Sequence, residues 1–155
     1  YSWGVVQNAQ YRRLDAITDA GWVDAMVTLI QGKKAIRDSG VFRWHDSGDI
    51  QSMEHLEKIV EVARRTPNIR HWMPTKEKAL VREYIRIHGE FPENLIVRLS
   101  GAMIDGDAPT GIPHTSTVTT DPAKATCRAF ENNGECGPCR QCWDKDVRNV
   151  AYLAH

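Results

Sequence analysis

Apolar positions along the chain recur first with a helical period and then in short extended runs. Residues 5–18 and 22–34 carry apolar side chains at helical spacing, and the second stretch ends in two lysines. Because cations stabilise the C-terminal end of a helix, this pattern predicts N-terminal helices within residues 1–40.

Residues 41–101 alternate between β-branched or aromatic runs and amphipathic stretches. We expect strands at 41–44, 69–73 and 94–100, separated by helices at 52–65 and 76–88. The β–α–β–α–β order predicts a parallel sheet, because strands joined by crossover helices run in the same direction. A short strand at 116–119 would be the fourth. The predicted fold class is therefore α/β, with a parallel sheet of three to four strands and flanking helices.

The length and composition are those of one globular domain. The chain has 155 residues, of which 41% are hydrophobic and 26% are charged. We divide residues 1–155 into N-terminal helices (1–40), a βαβαβ unit (41–101), a loop-rich connection (102–126) and a C-terminal cysteine-rich segment (127–155).

Charge and hydropathy narrow the classes of partner. Lys plus Arg and Asp plus Glu both number 20, so the formal net charge is zero. A basic excess that would indicate nucleic-acid binding is therefore missing, although a local basic groove remains an alternative. No apolar run approaches the roughly 18 residues of a membrane span, and no signal peptide is visible. We expect a cytoplasmic protein without a membrane partner.

All four cysteines fall within one short segment with the spacing C-x8-C-x2-C-x2-C: Cys127, Cys136, Cys139 and Cys142. Thiolates are soft ligands that suit zinc or iron–sulfur clusters, so the spacing predicts one metal site. Two disulfides are the alternative.

The overlapping C-x2-C-x2-C run with a remote fourth thiol is typical of a [4Fe–4S] cluster. A ferredoxin run would continue with a cysteine where Asp146 stands, so this match is partial. Zinc is the alternative metal, and His155 could then replace one thiol.

Polar side chains follow each of the first three predicted strands. Ligands bind at the carboxyl ends of parallel strands, so we expect a small-molecule or nucleotide site there. The candidates for acid–base catalysis are His45, Asp46, Asp49 and Lys76. The candidates for ligand or cofactor binding are Ser47, Gly48, Thr75, Arg98 and Ser100, with Lys76 and Arg98 as contacts for an anionic group. The alternative is that the acidic residues and Ser47 are ordinary turn and cap residues.

Several segments together resemble a known family. These are F-R-W-H-D-S-G-D-I, H-W-M-P-T-K, P-E-N-L-I-V-R-L-S and C-G-P-C-R-Q-C-W. They are similar to the phage gene-product-eighty-eight family, whose function is not established, and the resemblance covers nearly the whole chain.

More distantly, Ser47-Gly48-Asp49, Thr75-Lys76 and Leu99-Ser100 resemble strand ends of phage radical-SAM-like proteins. That resemblance implies a partial (β/α) barrel, a [4Fe–4S] cluster and S-adenosylmethionine as cofactors. Radical-SAM enzymes hold their catalytic cluster in an N-terminal C-x3-C-x2-C loop, and this chain has no cysteine before Cys127. The resemblance therefore implies that the chain either begins after that loop or has lost it, so that its C-terminal cysteines would hold an auxiliary cluster.

Three functions follow as hypotheses. The first is a metal-binding, iron–sulfur protein on a radical-SAM-like partial barrel, with its reaction unspecified. The second is a zinc-stabilised module that binds nucleic acid or a host protein, favoured by the arginines 128, 140 and 148. The third is a nucleoside- or DNA-modifying enzyme that uses His45 and the nearby carboxylates. The sequence leaves open whether the chain is an enzyme.

Overall fold

The computed structural model describes residues 4–45 and 48–154. Within them, helices α1 to α5 span Gly4–Ala16, Trp22–Gly32, Lys34–Ser39, Met53–Arg65 and Lys78–His88. Strands β1 to β5 span Val41–Arg43, Arg70–Thr75, Leu95–Ile104, Thr115–Thr119 and Asn149–Leu153. Two short 3₁₀ helices, Ala129–Asn132 and Gln141–Trp143, lie between β4 and β5. No helix in the described part of the chain is long and apolar enough to cross a membrane.

The strands form one curled parallel sheet, a half-barrel. Their spatial order is β1-β2-β3-β4-β5, the same as their order in the chain, and each neighbouring pair is parallel. In a parallel sheet all carboxyl ends lie at one edge, so the residues that follow the strands are brought to the same side of the molecule.

One face of the sheet is covered by helices. Met73, Leu95 and Val97 point to this face and pack in the larger hydrophobic core with α4 and α5. Helix α4 begins after Ser52, whose Oγ accepts a hydrogen bond from the backbone N–H of His55, and it buries most of its apolar stripe. The strands and helices of the β–α–β–α–β unit therefore share one hydrophobic core.

The opposite face is covered by the long connection between β4 and β5, residues 120–148. Trp72 and Val150 point to this side and pack in a smaller core with Cys142 and Trp143 of the connection. The Trp143 indole N–H donates to the carbonyl of Phe42 in β1, 2.8 Å away. Thr126 and Cys127 donate their amides to the carbonyl of Ala151 in β5. The cysteine-rich part of the chain is therefore joined to both outer strands of the half-barrel.

The α/β class, the flanking helices and the parallel sheet are confirmed, but the predicted number of strands is wrong. Strand β4 contains the predicted 116–119, and β5 is a fifth strand that the sequence does not predict. Strand β3 also continues to Ile104, so that the predicted loop-rich connection 102–126 begins inside a strand. Short strands such as β5 form because their neighbour supplies the hydrogen bonds, and local sequence carries little of that signal.

Candidate functional site

A buried arginine organises the face that carries the cysteines. Arg98 in β3 has no exposed surface, and all five of its N–H groups meet backbone carbonyls. Nε donates to Cys142, Nη2 to Gln141 and Asp144, and Nη1 to Thr115, Val147 and Arg148, at 2.8–3.4 Å. The guanidinium thus fixes the end of the β4–β5 connection on the sheet.

Cys142 is held against this arginine and a tyrosine. Its Sγ lies 3.2 Å from the hydroxyl of Tyr152 on β5. Burial raises the pKa of the Cys142 thiol to about 11, and the Tyr152 hydrogen bond and the Arg98 charge act in the opposite direction. Burial also raises the pKa of Tyr152, to which the neighbouring Cys142 and Cys127 add. Without a metal, this pair is therefore a neutral thiol and a neutral phenol at pH 7.

Three of the four cysteines face one cavity. A space of about 580 Å³ lies between the half-barrel and the β4–β5 connection, and Cys127, Cys136 and Cys142 are part of its wall. The same wall includes the strand residues Arg43, Trp72, Ser100, Ser116 and Tyr152, and Lys76 directly after β2. A cavity of this size, with a mostly apolar wall and a few polar groups, is typical of small-molecule sites.

A second polar cluster lies where β1 and β2 end. The Asp49 carboxylate accepts from the Thr75 hydroxyl and from the backbone N–H of Lys76 and Ile50. Thr75 in turn accepts from the amide of Glu77 at the start of α5. Asp49 therefore fastens the loop after β1 to the end of β2, which determines where Lys76 stands.

Two histidines lie near that cluster, His45 half-buried and His55 buried. His45 packs edge-on against His55 of α4, and burial lowers the pKa of both rings, that of His55 to about 4. Nε2 of His45 has no hydrogen-bond partner in the described part of the structure. His45 has a φ of 53° and Gly48 a φ of 92°, so both residues have the positive φ that is uncommon for residues other than glycine.

The comparison with protein families matches this chain along most of its length. The model of the family described as Gene product 88 covers residues 1–145, which include four of the five strands and all four cysteines. The chain belongs to the gene product 88 family. No curated protein and no solved structure matches it, and nothing in these comparisons supports the radical-SAM resemblance.

Within this gene product 88 chain, the residues predicted for the strand-end site occupy two places. Lys76 and Ser100 line the cavity, as do Cys127, Cys136 and Cys142 of the predicted metal site. His45, Gly48, Asp49 and Thr75 belong to the cluster between β1, β2 and α4. Gly48 has open space where a Cβ would lie, so its positive φ is the reason for a glycine here, not the close approach of a ligand. Asp46, Ser47 and His155 lie outside the described residues.

Arg98 does not stand where the sequence interpretation placed it. Its five donors are all used by backbone carbonyls, so the described geometry leaves none for an anionic ligand. Burial lowers its pKa, but an arginine remains charged at any physiological pH. The contribution of Arg98 to the site is to position the connection that carries Cys142.

Sequence reasoning missed Arg43, Ser116 and Tyr152 as residues of the cavity wall. Part of the wall follows from strand pairing, because residues paired on neighbouring strands point to the same face of the sheet. Arg43 pairs with Trp72 across β1 and β2, and Ser100 pairs with Ser116 across β3 and β4. Tyr152 could not be found in this way, because β5 was not predicted.

The residue type and the approximate position of the cysteines both suit a metal or cluster that is bound by thiolates. They are unpaired, and three of them line one cavity. Across the described ranges, however, no three His, Cys, Asp or Glu side chains are close enough to hold a single metal ion. Cys139 is exposed and is not part of the cavity wall. Its backbone N–H donates to the carbonyl of Cys136, and this hydrogen bond closes a turn.

Proposed function

We propose that this protein binds an iron–sulfur cluster, of the [4Fe–4S] type, through its C-terminal cysteines, and that the cluster forms one wall of a small-molecule cavity. The observation that carries the proposal is the position of Cys127, Cys136 and Cys142 around one cavity that also receives the strand ends. Thiolates are the ligands that iron–sulfur clusters require.

The spacing of the cysteines favours a cluster over a single zinc ion. The overlapping C-x2-C-x2-C run with a remote fourth thiol is typical of a [4Fe–4S] cluster. Structural zinc sites more often combine two separated pairs of ligands. The exposed turn with Cys136 and Cys139 would supply the fourth ligand by a local movement, because neither thiol is held by packing.

The surrounding residues suit a negatively charged thiolate group. The fixed cation of Arg98 lies beside Cys142, and the Tyr152 hydroxyl can donate a hydrogen bond to its sulfur. Trp143 packs edge-on against Trp72, with ring centroids 5.2 Å apart, and limits the access of water. A bound cluster would supply one-electron transfer.

The test is metal analysis of protein purified without oxygen. We expect iron and inorganic sulfide in equal amounts and a brown colour. Cys142→Ser and Cys136→Ser should lose most of the iron, and Cys139→Ser should lose it if the exposed turn supplies the fourth ligand. Tyr152→Phe is the matched control, because it removes the hydroxyl beside Cys142 but leaves all four sulfurs, and it should retain iron.

A colourless protein with one zinc per chain would overturn the cluster in favour of the zinc-stabilised binding module. A protein without any metal, prepared and assayed in the same way, would overturn the metal site altogether. Near-UV circular dichroism of each variant shows whether a loss of iron reflects a lost ligand or a lost fold.

A further inference from the structure

Two cations on the cavity wall have no counter-ion among the described residues. The Arg43 guanidinium and the Lys76 ammonium both line the cavity, are exposed, and form no ion pair with any residue in 4–45 or 48–154. None of the described residues on the wall is acidic. The chain as a whole has no net charge, so the positive potential here comes from how the charges are distributed.

Arg43 is positioned before any ligand arrives. Its Cζ lies 4.9 Å from the centroid of the Trp72 ring, and Trp72 is fixed in turn by Trp143. An arginine stacked on an aromatic ring keeps its N–H groups free, and their planar arrangement matches a carboxylate or phosphate. Little side-chain entropy then remains to be lost when an anion binds.

The position of Lys76 is also determined by the fold. The Asp49 carboxylate accepts from the Lys76 backbone N–H, 2.7 Å away, and thereby fixes the chain at the end of β2. Asp49 has its oxygens occupied by the three donors of its own cluster and is not on the cavity wall. The backbone at Lys76 is therefore fixed by a carboxylate that is not itself part of the cavity wall.

The rest of the wall offers a mainly apolar surface, and the indole N–H of Trp72 beneath it is buried. Trp72 is only 6% exposed, and its indole N–H has no hydrogen-bond partner within the described chain. A buried donor without a partner is costly, and such groups are few in folded proteins. Pro74, Phe130 and Met103 supply apolar surface, whereas the hydroxyls of Ser100 and Ser116 bond to each other at 3.3 Å.

We propose that the ligand of this cavity is a small organic anion, with a carboxylate or phosphate bound by Arg43 and Lys76 and a flat apolar body against Pro74 and Phe130. The inference rests on the small-molecule cavity of the proposed function and not on which metal, if any, the cysteines bind. It also replaces the anion contact that the sequence assigned to Arg98, whose donors are occupied.

The experiment is isothermal titration calorimetry with two probes of the same shape, 2-naphthoate and 2-naphthamide, on protein purified without oxygen. The first is an anion and the second is its neutral counterpart. We expect 2-naphthoate to bind at least tenfold more tightly. Arg43→Gln and Lys76→Gln should each weaken the binding of 2-naphthoate by about tenfold, as the loss of one charge-assisted hydrogen bond predicts. The affinity for 2-naphthamide should stay nearly unchanged.

Two further variants test whether the planar guanidinium of Arg43 matters, or only the presence of a positive charge on the protein. Arg43→Lys keeps the cation but not its planar fork, so it should recover only part of the affinity. Arg70→Gln removes an exposed arginine at the opposite end of β2, away from the cavity wall, and should leave both probes unaffected. The four substitutions are made at three exposed positions, Arg43, Lys76 and Arg70, so the fold is expected to persist.

Equal affinity of the protein for the two probes would overturn the proposal. So would an equal loss of affinity for 2-naphthoate in Arg43→Gln and Arg70→Gln. Iron and zinc are measured on the same samples. Arg43-dependent binding by metal-free protein would leave this inference standing while the cluster fails. Iron bound through the cysteines without any preference for the anion would leave the cluster standing while this inference fails.

Discussion

Arg98 shows how one side chain can hold an irregular connection in a fixed place. Its donors meet the last carbonyls of the 3₁₀ helix Gln141–Trp143 and the carbonyls that lead into β5. A cation is favourable at the carbonyl end of a helical turn, and here it also satisfies groups that have no partner in a strand. The sequence alone cannot distinguish this arginine from one that binds a ligand, since both lie in a buried strand.

Arg98→Met should therefore destabilise the protein by about 3 kcal/mol or more, because it leaves several buried carbonyls without donors. Arg98→Lys should recover less than half of the loss, since an ammonium has three donors and no planar fork. Urea unfolding measures both. Arg70→Gln, an exposed change on the same sheet, should stay within about 0.5 kcal/mol of the parent protein. A loss of less than 1 kcal/mol in Arg98→Met would show that the carbonyls find other partners.

Secondary-structure elements differ in how far the sequence determines them. Helices α4 and α5 and strands β1 to β3 follow from local pattern, because their apolar positions repeat with the period of the element. Helix α1 also follows from the pattern, although it buries no residue in the described structure. Strand β5 does not, because its five residues are identified as a strand only by pairing with β4. The cavity wall was correspondingly predictable for Lys76 and Ser100 and not for Tyr152.

His71 links three elements through a buried hydrogen-bonded chain. The Trp44 indole N–H donates to its Nδ1 (3.2 Å), so the ring proton lies on Nε2 and is donated to the Thr66 hydroxyl (2.7 Å). Thr66 donates to the carbonyl of Val62 at the end of α4. This arrangement requires a neutral imidazole, and burial lowers the pKa of His71 to about 4.

A pH dependence follows from that pKa. The unfolded chain takes up a proton near pH 6.5 and the folded chain only near pH 4, so the contribution of His71 to stability is full above pH 6.5 and is lost as the pH falls towards 4. The full contribution of this pKa difference to the free energy of unfolding is about 3 kcal/mol. His71→Gln cannot titrate, and its stability relative to its own value at pH 7.5 should fall less steeply on acidification than that of the parent. Urea unfolding at pH 7.5, 6 and 5 measures the two slopes, and parallel slopes would contradict the prediction.

On the scale of the whole molecule, the β4–β5 connection completes the half-barrel. It bonds to β1 through Trp143 and to β5 through Cys127, and Arg98 fixes it at the centre of the sheet. Residues 131–139, between these points, are exposed throughout. Net charge and composition could not predict this arrangement, because a total of zero is compatible with a cavity that has two cations and no acidic residue in its described wall.

Because binding of a metal to thiolates from both sides of this exposed turn would order it, metal removal should make the turn easier to cleave. Trypsin cuts after arginine, and Arg128 and Arg140 flank the turn. We expect cleavage at these two positions to become severalfold faster after a chelator has removed the metal, with cleavage after Arg12 and Arg13 in the exposed helix α1 as the internal reference. Mass spectrometry of timed digests gives both rates from the same sample. If the ratio of turn cleavage to α1 cleavage is the same before and after metal removal, the four cysteines do not order the turn through a shared group.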